Sequence, residues 1–352
     1  MAFPPHYFRQ DEVVAALKKY WDQGMENPAV LERLHSRTGV EGRYFSRPLD
    51  GYRALDTWGK TNDVWIETAV SLGEQAIGGL LREAGFPSEK IGTILSVSVT
   101  GIACPTVEAR LMNTMGLPVH IKRTPIFGLG CVAGASGLAR AADYVRAYPD
   151  QAAILLSVEL CSLTWQRDNW DMPNLIASGL FGDGCGAVLV MGEQLAAEMS
   201  GGDAARLGPR IVASRATFYP DSEEVMGWAI SENGFRIVLS ADVPTVVRQH
   251  LGENVDGFLA DHGLTRAEIG SWIMHTGGPK VLEANAEALG LTREDFHLSW
   301  EALRVAGNLS SASVLMVLDE VMRHHRPAPG TRSLLVAMGP GFCSEMLLLE
   351  WA

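Results

Sequence analysis

The chain has 352 residues, of which 47% are hydrophobic and 20% charged, and its formal net charge is −12. This composition is typical of a soluble globular protein with enough length for a large core or two domain-sized halves. The acidic balance argues against a nucleic-acid or anionic-membrane partner. No stretch reaches the roughly 18 apolar residues that a membrane span requires.

The cysteines predict a reducing environment. Five are scattered along the chain with no CxxC and no paired spacing, at Cys104, Cys131, Cys161, Cys185 and Cys343. This pattern favours free thiols in a cytoplasmic protein over a disulfide framework or a metal site. The first residues, Met1 to His6, lack the basic and apolar regions of a signal peptide, so we expect no leader.

Strand and helix patterns alternate along the chain. Before residue 192, the pattern predicts helices over 11–20, 62–84 and 106–115 and from Cys131, with strands over 91–99, into Gly130, over 152–160 and over 186–191. A polar, Gly/Ala-rich connector is expected over 192–209. After it, strands are predicted over 211–214, 271–275, 334–338 and 345–351, with helices over 243–260, over 279–288 and from Asn308. This alternation predicts an α/β fold.

The two halves of the chain resemble each other. Gly130-Cys131 and Gly307-Asn308 each precede a helix of small residues, and Phe181-Gly and Met338-Gly each precede a strand. We therefore predict a duplication, with halves 1–195 and 196–352. The first half carries extra residues between Cys161 and Leu180, and inserted loops on such a scaffold often carry function. The alternative is that turns of any α/β protein reuse glycine.

Cys131 follows the turn Gly128-Leu-Gly130 and opens a pattern of Ala, Gly, Ser and Leu. The positive end of a helix macrodipole favours a thiolate, so this placement suits an activated nucleophile. The alternative is a small core cysteine, because free cysteine is among the most buried residue types.

His275 and Asn308 occupy similar positions, each between a strand pattern and a helix pattern. Ligands of doubly wound sheets gather at the carboxyl ends of strands. His275 could instead be a hydrogen-bonded structural residue, although the two glycines after it would let a ligand come close. Asn308 could be only a helix N-cap. Cys131, His275 and Asn308 together indicate a catalytic constellation more strongly than any one of them.

Five segments carry a family resemblance: Gly128-Leu-Gly-Cys-Val-Ala-Gly, Leu180-Phe-Gly-Asp-Gly, His275-Thr-Gly-Gly-Pro, Gly307-Asn-Leu-Ser-Ser-Ala and Gly339-Pro-Gly-Phe. With them the chain resembles the type III polyketide synthases, the chalcone-synthase-like branch of the thiolase superfamily, and its bacterial members in particular. The resemblance implies a thiolase-like fold, with duplicated βαβαβ halves forming a layered αβαβα core. It implies that Cys131, His275 and Asn308 are the catalytic set, that Phe181 gates the cavity, and that the protein is a homodimer.

The resemblance also implies substrate-contacting and CoA-binding positions. Substrate-contacting positions fall on Cys161, Thr164, Ile237, Ser310, Met338 and, reaching into the partner's cavity, Cys104. A CoA-binding rim falls on Arg33, Arg37, Lys280, Gly277 and Gly278, although its charges could be ordinary surface charges. The chain departs from the family where Met338 replaces an aromatic residue and Glu41 replaces a basic one. Relatives also carry a strand before Ala2, so we expect the first strand to be missing.

The implied reaction is an iterative decarboxylative Claisen condensation of malonyl-CoA onto an acyl-CoA starter held on Cys131. We expect a fatty-acyl starter and cyclisation to an alkylpyrone or a resorcinol. CoA thioesters are the substrates, and no metal or redox cofactor is expected. Two alternatives stay open: a single-condensation enzyme like ketoacyl synthase III, and a non-catalytic acyl-binding protein.

Overall fold

A computed structural model describes residues 1–20, 28–166, 169–201 and 207–352. Its strands are β1 (His6–Arg9), β2 (Gly42–Phe45), β3 (Ile91–Val97), β4 (Lys122–Ile126), β5 (Ala152–Leu160), β6 (Asp183–Met191), β7 (Arg210–Phe218), β8 (Met226–Ser231), β9 (Gly234–Leu239), β10 (Ile269–Met274), β11 (Arg332–Gly339) and β12 (Cys343–Glu350). Its helices are α1 (Gln10–Tyr20), α2 (Pro28–His35), α3 (Trp58–Ala84), α4 (Val107–Thr114), α5 (Ala133–Ala147), α6 (Met172–Leu180), α7 (Glu193–Ser200), α8 (Val243–Ala260), α9 (Pro279–Leu289), α10 (His297–Ala306) and α11 (Ala312–His324).

Two mixed sheets of four strands form the centre, one from each half of the chain. The first has the order β4-β3-β5-β6 and the second the order β10-β11-β12-β7. In the first, β3 is parallel to β4 and to β5, while β6 is antiparallel to β5. In the second, β10 and β11 are parallel, and β12 is antiparallel to β11. The strands β3, β5 and β6 therefore have the same relative directions as β10, β11 and β12.

The residues before β1 contact the outer edge of β6. Ala2 forms an antiparallel bridge with Cys185 of β6, through hydrogen bonds of 2.8 and 2.9 Å. The strand β7 takes the matching place beside β12 in the second sheet. Before β1, the described residues thus cover the edge of β6 at one bridge.

The helices α5 and α11 lie between the two sheets. Their apolar side chains form one core cluster with residues of β5, β11 and β12. The backbones come very close, because a Cβ atom on Gly134 would lie 2.1 Å from the Ser311 carbonyl oxygen. This contact explains the small-residue pattern after Cys131. With α3 against the first sheet and α8 and α9 against the second, the layers follow the αβαβα order of the thiolase-like fold.

Several elements differ from the sequence prediction. The expected connector 192–209 contains α7, and its residues 202–206 lie outside the described part of the chain. The helix predicted from Asn308 begins instead at Ala312, because the backbone of Asn308 forms a bridge with Phe181. The helix predicted from Cys131 begins at Ala133, after a 3₁₀ turn. The insertion after Cys161 contains α6.

The hairpin β8–β9 was not predicted, and among the described residues it pairs with neither central sheet. It places Met226, Trp228, Ile237 and Leu239 beside Cys131. Within the described ranges, no helix combines the length and apolar character needed to cross a membrane.

Candidate active site

Cys131 lies in a 3₁₀ turn, Gly130–Val132, immediately before α5, and its side chain is buried. Two glycines let the turn meet the end of β11. Gly130 has a φ of +54°, and a Cβ atom there would lie 2.6 Å from Pro340 Cδ. A Cβ atom on Gly339 would lie 2.7 Å from the backbone nitrogen of Val132. The turn that carries Cys131, from the first half of the chain, is thereby held against the end of β11 in the second sheet.

Polar side chains from the second half surround the sulfur. The Sγ atom of Cys131 lies 3.6 Å from the hydroxyl oxygen of Ser310. Hydrogen bonding by Ser310 and by the Asn308 side chain lowers the pKa of the Cys131 thiol. Burial is the larger effect and raises that pKa to about 12. In these surroundings the thiol is the stable form of Cys131, and the thiolate expected from the helix N-terminus needs a nearby positive charge.

Asn308 is held by its backbone and oriented by its side-chain oxygen. Its N–H donates to the Leu180 carbonyl at 2.9 Å, and its carbonyl accepts from the Gly182 N–H at 3.0 Å. Its Oδ1 accepts from the Ser310 N–H at 2.8 Å and from the Ser313 hydroxyl at 3.3 Å. With Oδ1 engaged, the amide nitrogen is the group that can donate toward the sulfur. Asn308 is not the N-cap of α11, which is Ser311.

His275 follows β10, and its backbone N–H donates to the Val336 carbonyl of β11 at 3.0 Å. The side chain is buried, and its Nδ1 has no hydrogen-bond partner within the part of the chain that the structure describes. Burial lowers the pKa of His275 to about 4. Because β11 ends at Gly339, which packs on the Cys131 turn, His275 lies at the same edge of the molecule as Cys131.

One small cavity is lined by Cys131, and a second shares part of its wall. The first, about 20 Å³, is lined by Gly130, Cys131, Phe181, Met226, Gly227, Trp228, Ile237, Leu239, Ser310 and Pro340. The second, about 10 Å³, is lined by Cys161, Thr164, Trp165, Asn174, Ala177, Phe181, Trp228 and Ile237. Phe181, Trp228 and Ile237 line both and stand between them. The structure thus gathers five of the predicted substrate positions: Phe181, Cys161, Thr164, Ile237 and Ser310.

Comparison with known families identifies the chain. The family described as chalcone and stilbene synthases matches in both parts, its N-terminal domain over residues 3–194 and its C-terminal domain over residues 210–351. The chain belongs to this family. Its relatives include the 1,3,6,8-tetrahydroxynaphthalene synthase of Streptomyces peucetius subsp. caesius, with 45% identity over 99% of this chain and 91% of the relative. A putative chalcone synthase of Bacillus subtilis is 38% identical over 89% of this chain and 86% of its own length.

The fold agrees with that assignment. The crystal structure of 1,3,6,8-tetrahydroxynaphthalene synthase from Streptomyces coelicolor, a bacterial type III polyketide synthase, superposes with a TM-score of 0.90 at 27% identity. That match covers 99% of this chain and 97% of the other. The protein is therefore a type III polyketide synthase, an acyltransferase-class enzyme with a thiolase-like fold.

A buried carboxylate of the synthase was missed by sequence reasoning. Glu159, near the end of β5, accepts hydrogen bonds from the Val99 N–H at 3.2 Å, the Thr100 hydroxyl at 3.0 Å and the Ser311 hydroxyl. Burial raises the pKa of Glu159 to about 7, and its charge raises the pKa of Cys131. The signal was present in the sequence, because Glu159 is the one charged residue in the run 152–160.

The charged residues of the predicted CoA rim lie at the surface of the synthase. Arg33, Arg37 and Lys280 are exposed. A Cβ atom on Gly39 would lie 3.5 Å from Pro279 Cγ. The segment after Arg37 therefore packs against the start of α9. Gly277 and Gly278 precede that helix. Glu41, one of the departures from the family, pairs with Arg304.

Two predicted positions lie outside the two cavities. Met338 is buried in the same core cluster as Cys131 but lines neither cavity. Cys104 is exposed on the loop before α4 and lines neither cavity. Within residues 1–20, 28–166, 169–201 and 207–352, no group of three or more His, Cys, Asp or Glu side chains is arranged to hold a metal ion.

Proposed function

We propose that the synthase loads an acyl group from an acyl-CoA onto Cys131 and extends it with malonyl-CoA. The observation that supports this most directly is the position of the Asn308 side chain and the Ser310 hydroxyl beside the buried Cys131 sulfur. The thiolate attacks the acyl-CoA carbonyl, the C–S bond to CoA breaks, and CoA leaves as its thiol after taking up a proton. The product of this step is an acyl thioester on Cys131.

Extension then requires a carbon nucleophile. Malonyl-CoA loses CO₂ and leaves a thioester enolate, whose negative oxygen accepts hydrogen bonds from the Asn308 amide and the His275 imidazole. The enolate carbon attacks the Cys131 thioester, a carbon–carbon bond forms, and the sulfur leaves as a thiolate. Transfer of the lengthened chain back to Cys131 releases CoA and allows another round, until the polyketide cyclises.

The narrow space around Cys131 favours a short starter. The two cavities measure about 20 and 10 Å³, and the bulky side chains of Phe181, Trp228 and Ile237 stand between them. Ligand pockets typically measure about 300–1,000 Å³, so the walls have to move even for a short chain, and much further for a fatty acyl group. We therefore propose malonyl-CoA itself as the starter and a polyhydroxylated aromatic product, such as the tetrahydroxynaphthalene named in the relatives.

Product analysis tests this function directly. The protein is incubated with malonyl-CoA alone, and then with acyl-CoA starters of increasing chain length, with the products identified by mass spectrometry. We expect an aromatic polyketide from malonyl-CoA alone. Alkylpyrones or alkylresorcinols formed only with long starters would instead support the fatty-acyl prediction. A single β-ketoacyl product held on a carrier protein would support the ketoacyl synthase alternative.

Trp228 should limit chain length, because it stands between the two cavities. We expect Trp228→Ala to join the cavities and to shift products toward longer chains or bulkier starters by at least fivefold relative to the native product. Product profiles over the same starter series measure the shift. Ile230→Ala is the matched control, because Ile230 lies on the same strand but is 61% exposed. An unchanged profile in Trp228→Ala would limit the residue to packing.

His275 should ionise Cys131 by taking up the thiol proton, because its buried imidazole, with a pKa lowered to about 4, is neutral until it gains that proton. The surroundings without an imidazolium leave the pKa of Cys131 at about 12, and an imidazolium nearby lowers it. In the wild type, alkylation of Cys131 by iodoacetamide should reach a plateau as pH rises past this lowered pKa. In His275→Gln it should be at least tenfold slower at pH 7 and still rise with pH up to about 10. Glutathione alkylated under the same conditions provides the reference thiol. Identical pH profiles in both proteins would exclude the pairing.

Three further assignments complete the proposal. We propose that Arg33, Arg37 and Lys280 hold CoA phosphates at the rim, with Gly277 and Gly278 leaving room for the pantetheine arm. We also propose a cytoplasmic homodimer in which Cys104 reaches the partner's cavity. Support for the dimer comes from the apolar surface beside Cys104, where Ile102 is 51% exposed and Phe127 is 48% exposed.

A further inference from the structure

Arg43 of β2 is fully buried within the described structure, and it does not bind a carboxylate directly. One terminal nitrogen donates to the Gly179 carbonyl at 3.0 Å and also to the side-chain oxygen of Gln10. The other terminal nitrogen donates to the Ser178 carbonyl. A fully buried arginine is costly unless its charge is compensated, so a guanidinium that mostly holds backbone carbonyls requires an explanation.

Those carbonyls belong to the last turn of α6, directly before Phe181. The C-terminal end of a helix carries partial negative charge, which favours a cation there. Asp183, two residues beyond Phe181, also stabilises the charged form of Arg43, whose pKa burial lowers to about 9. The guanidinium therefore lies between the end of α6 and the first residue of β6.

The stem of Arg43 supports a second segment. A Cβ atom on Gly182 would lie 3.1 Å from Arg43 Cβ, and one on Gly307 would lie 3.4 Å from Arg43 Cδ. These two glycines flank the crossing at which Phe181 and Asn308 form a parallel bridge. One side chain thus packs against both strands of the crossing and binds the helix that leads into it.

We propose that Arg43 is a positioning residue that sets the Phe181–Asn308 crossing and so aims the Asn308 amide at the reacting thioester. The planar fork matters, because arginine reaches two adjacent carbonyls at once, whereas lysine offers a single point charge on a flexible stem. The inference rests on the proposed role of Asn308 in malonyl-CoA decarboxylation.

The test compares Arg43→Lys with Arg266→Lys. Arg266 is a suitable control because it also donates to two carbonyls, Ala288 at 3.2 Å and Gly252 at 3.0 Å. It precedes β10, whereas His275 follows that strand, so it lies at the opposite end of the sheet. Two readouts are needed: steady-state release of CO₂ from malonyl-CoA, and amide hydrogen exchange resolved at Gly182 and Asn308.

For Arg43→Lys we expect at least a tenfold lower kcat for CO₂ release, with the KM for malonyl-CoA changed less than twofold. Exchange at the Gly182 and Asn308 amides should rise at least tenfold over the rest of the chain. Arg266→Lys should change neither readout more than twofold. An unchanged kcat and exchange in Arg43→Lys, or a uniform rise in exchange along the chain, would overturn the positioning role.

A second variant and a separate readout cover the cases in which Arg43→Lys does not fold or the wild type releases no CO₂. If Arg43→Lys does not fold, Gln10→Met removes one acceptor of the guanidinium from outside the cavity, and the same local rise in exchange is expected, at least threefold. If the wild type releases no CO₂ from malonyl-CoA, the proposed function fails. The exchange at Gly182 and Asn308 then decides the positioning role on its own.

Discussion

Cys131→Ala is expected to abolish polyketide formation while binding of acyl-CoA is retained. Alanine leaves the turn Gly130–Val132 and its packing on Gly339 in place, so the cavity keeps its shape. Alanine has no atom that can carry the acyl intermediate, and loss of a covalent nucleophile typically costs on the order of 10³-fold or more. Mass spectrometry of the intact protein should show an acyl adduct in the wild type and none in the variant.

Cys185→Ala provides the matched control. Cys185 is fully buried in β6, burial raises the pKa of its thiol to about 12 as at Cys131, and its backbone pairs with Ala2 rather than facing the cavity. Loss of its sulfur should affect packing only, with product formation within about twofold of the wild type. Turnover that survives in Cys131→Ala would exclude Cys131 as the acyl carrier, and an equal fall in both variants would indicate damage to packing. A wild type with neither turnover nor an acyl adduct would favour the acyl-binding alternative.

The duplicated α/β pattern could be predicted from local sequence because the tightest contacts of the fold need particular residue types, whereas the layered αβαβα order was implied by the family resemblance. Gly134 faces the Ser311 carbonyl across the central layer, and Gly137 faces Leu155 of β5, so larger residues are excluded at both positions. These constraints appear in the sequence as small-residue helices, and their recurrence reveals the repeat. The bounds of both helices were predicted less well, because the turns at Cys131 and Asn308 are held by long-range contacts.

The walls of the cavity could not be predicted in the same way. Trp228 and Leu239 reach Cys131 only because β8–β9 folds over it, a contact between residues about a hundred positions apart in the sequence. The turn itself was signalled by Asn233-Gly234, a dipeptide typical of hairpins. Nothing local to the hairpin indicates which surface it covers. Arg43 was missed for a similar reason, since its acceptors lie in α1 and α6.

The helix N-terminus stabilises the Cys131 thiolate by less than burial destabilises it. A helix N-terminus contributes about 0.3–1 kcal/mol to a nearby anion, and up to about 2 kcal/mol in partly buried sites. Burial raises the pKa of this thiol from 9.0 to about 12, which corresponds to about 4 kcal/mol. The helix alone therefore does not ionise Cys131. The catalytic proposal therefore depends on His275, whose neutral imidazole takes up the Cys131 proton and becomes the positive partner of the thiolate.

Asn308→Ala should lower malonyl-CoA decarboxylation by about 10²–10³-fold, because one preorganised donor to the enolate oxygen is lost. Acyl transfer to Cys131 should fall far less, since the thiol and His275 remain. The two steps are measured separately, as CO₂ released from malonyl-CoA and as the acyl adduct on Cys131. This split distinguishes an oxyanion role from general damage to the site.

Alanine also removes an acceptor, because Oδ1 of Asn308 receives hydrogen bonds from the Ser310 N–H and the Ser313 hydroxyl. Asn308→Asp is the sharper variant, since it keeps both acceptor positions and lacks only the amide donor. If donation to the enolate is the role of Asn308, aspartate should be at least as damaging to decarboxylation as alanine, because its charge also repels the enolate. If aspartate restores decarboxylation to near the wild-type rate, Asn308 serves to hold the Ser310 turn, and the enolate oxygen is stabilised by other donors.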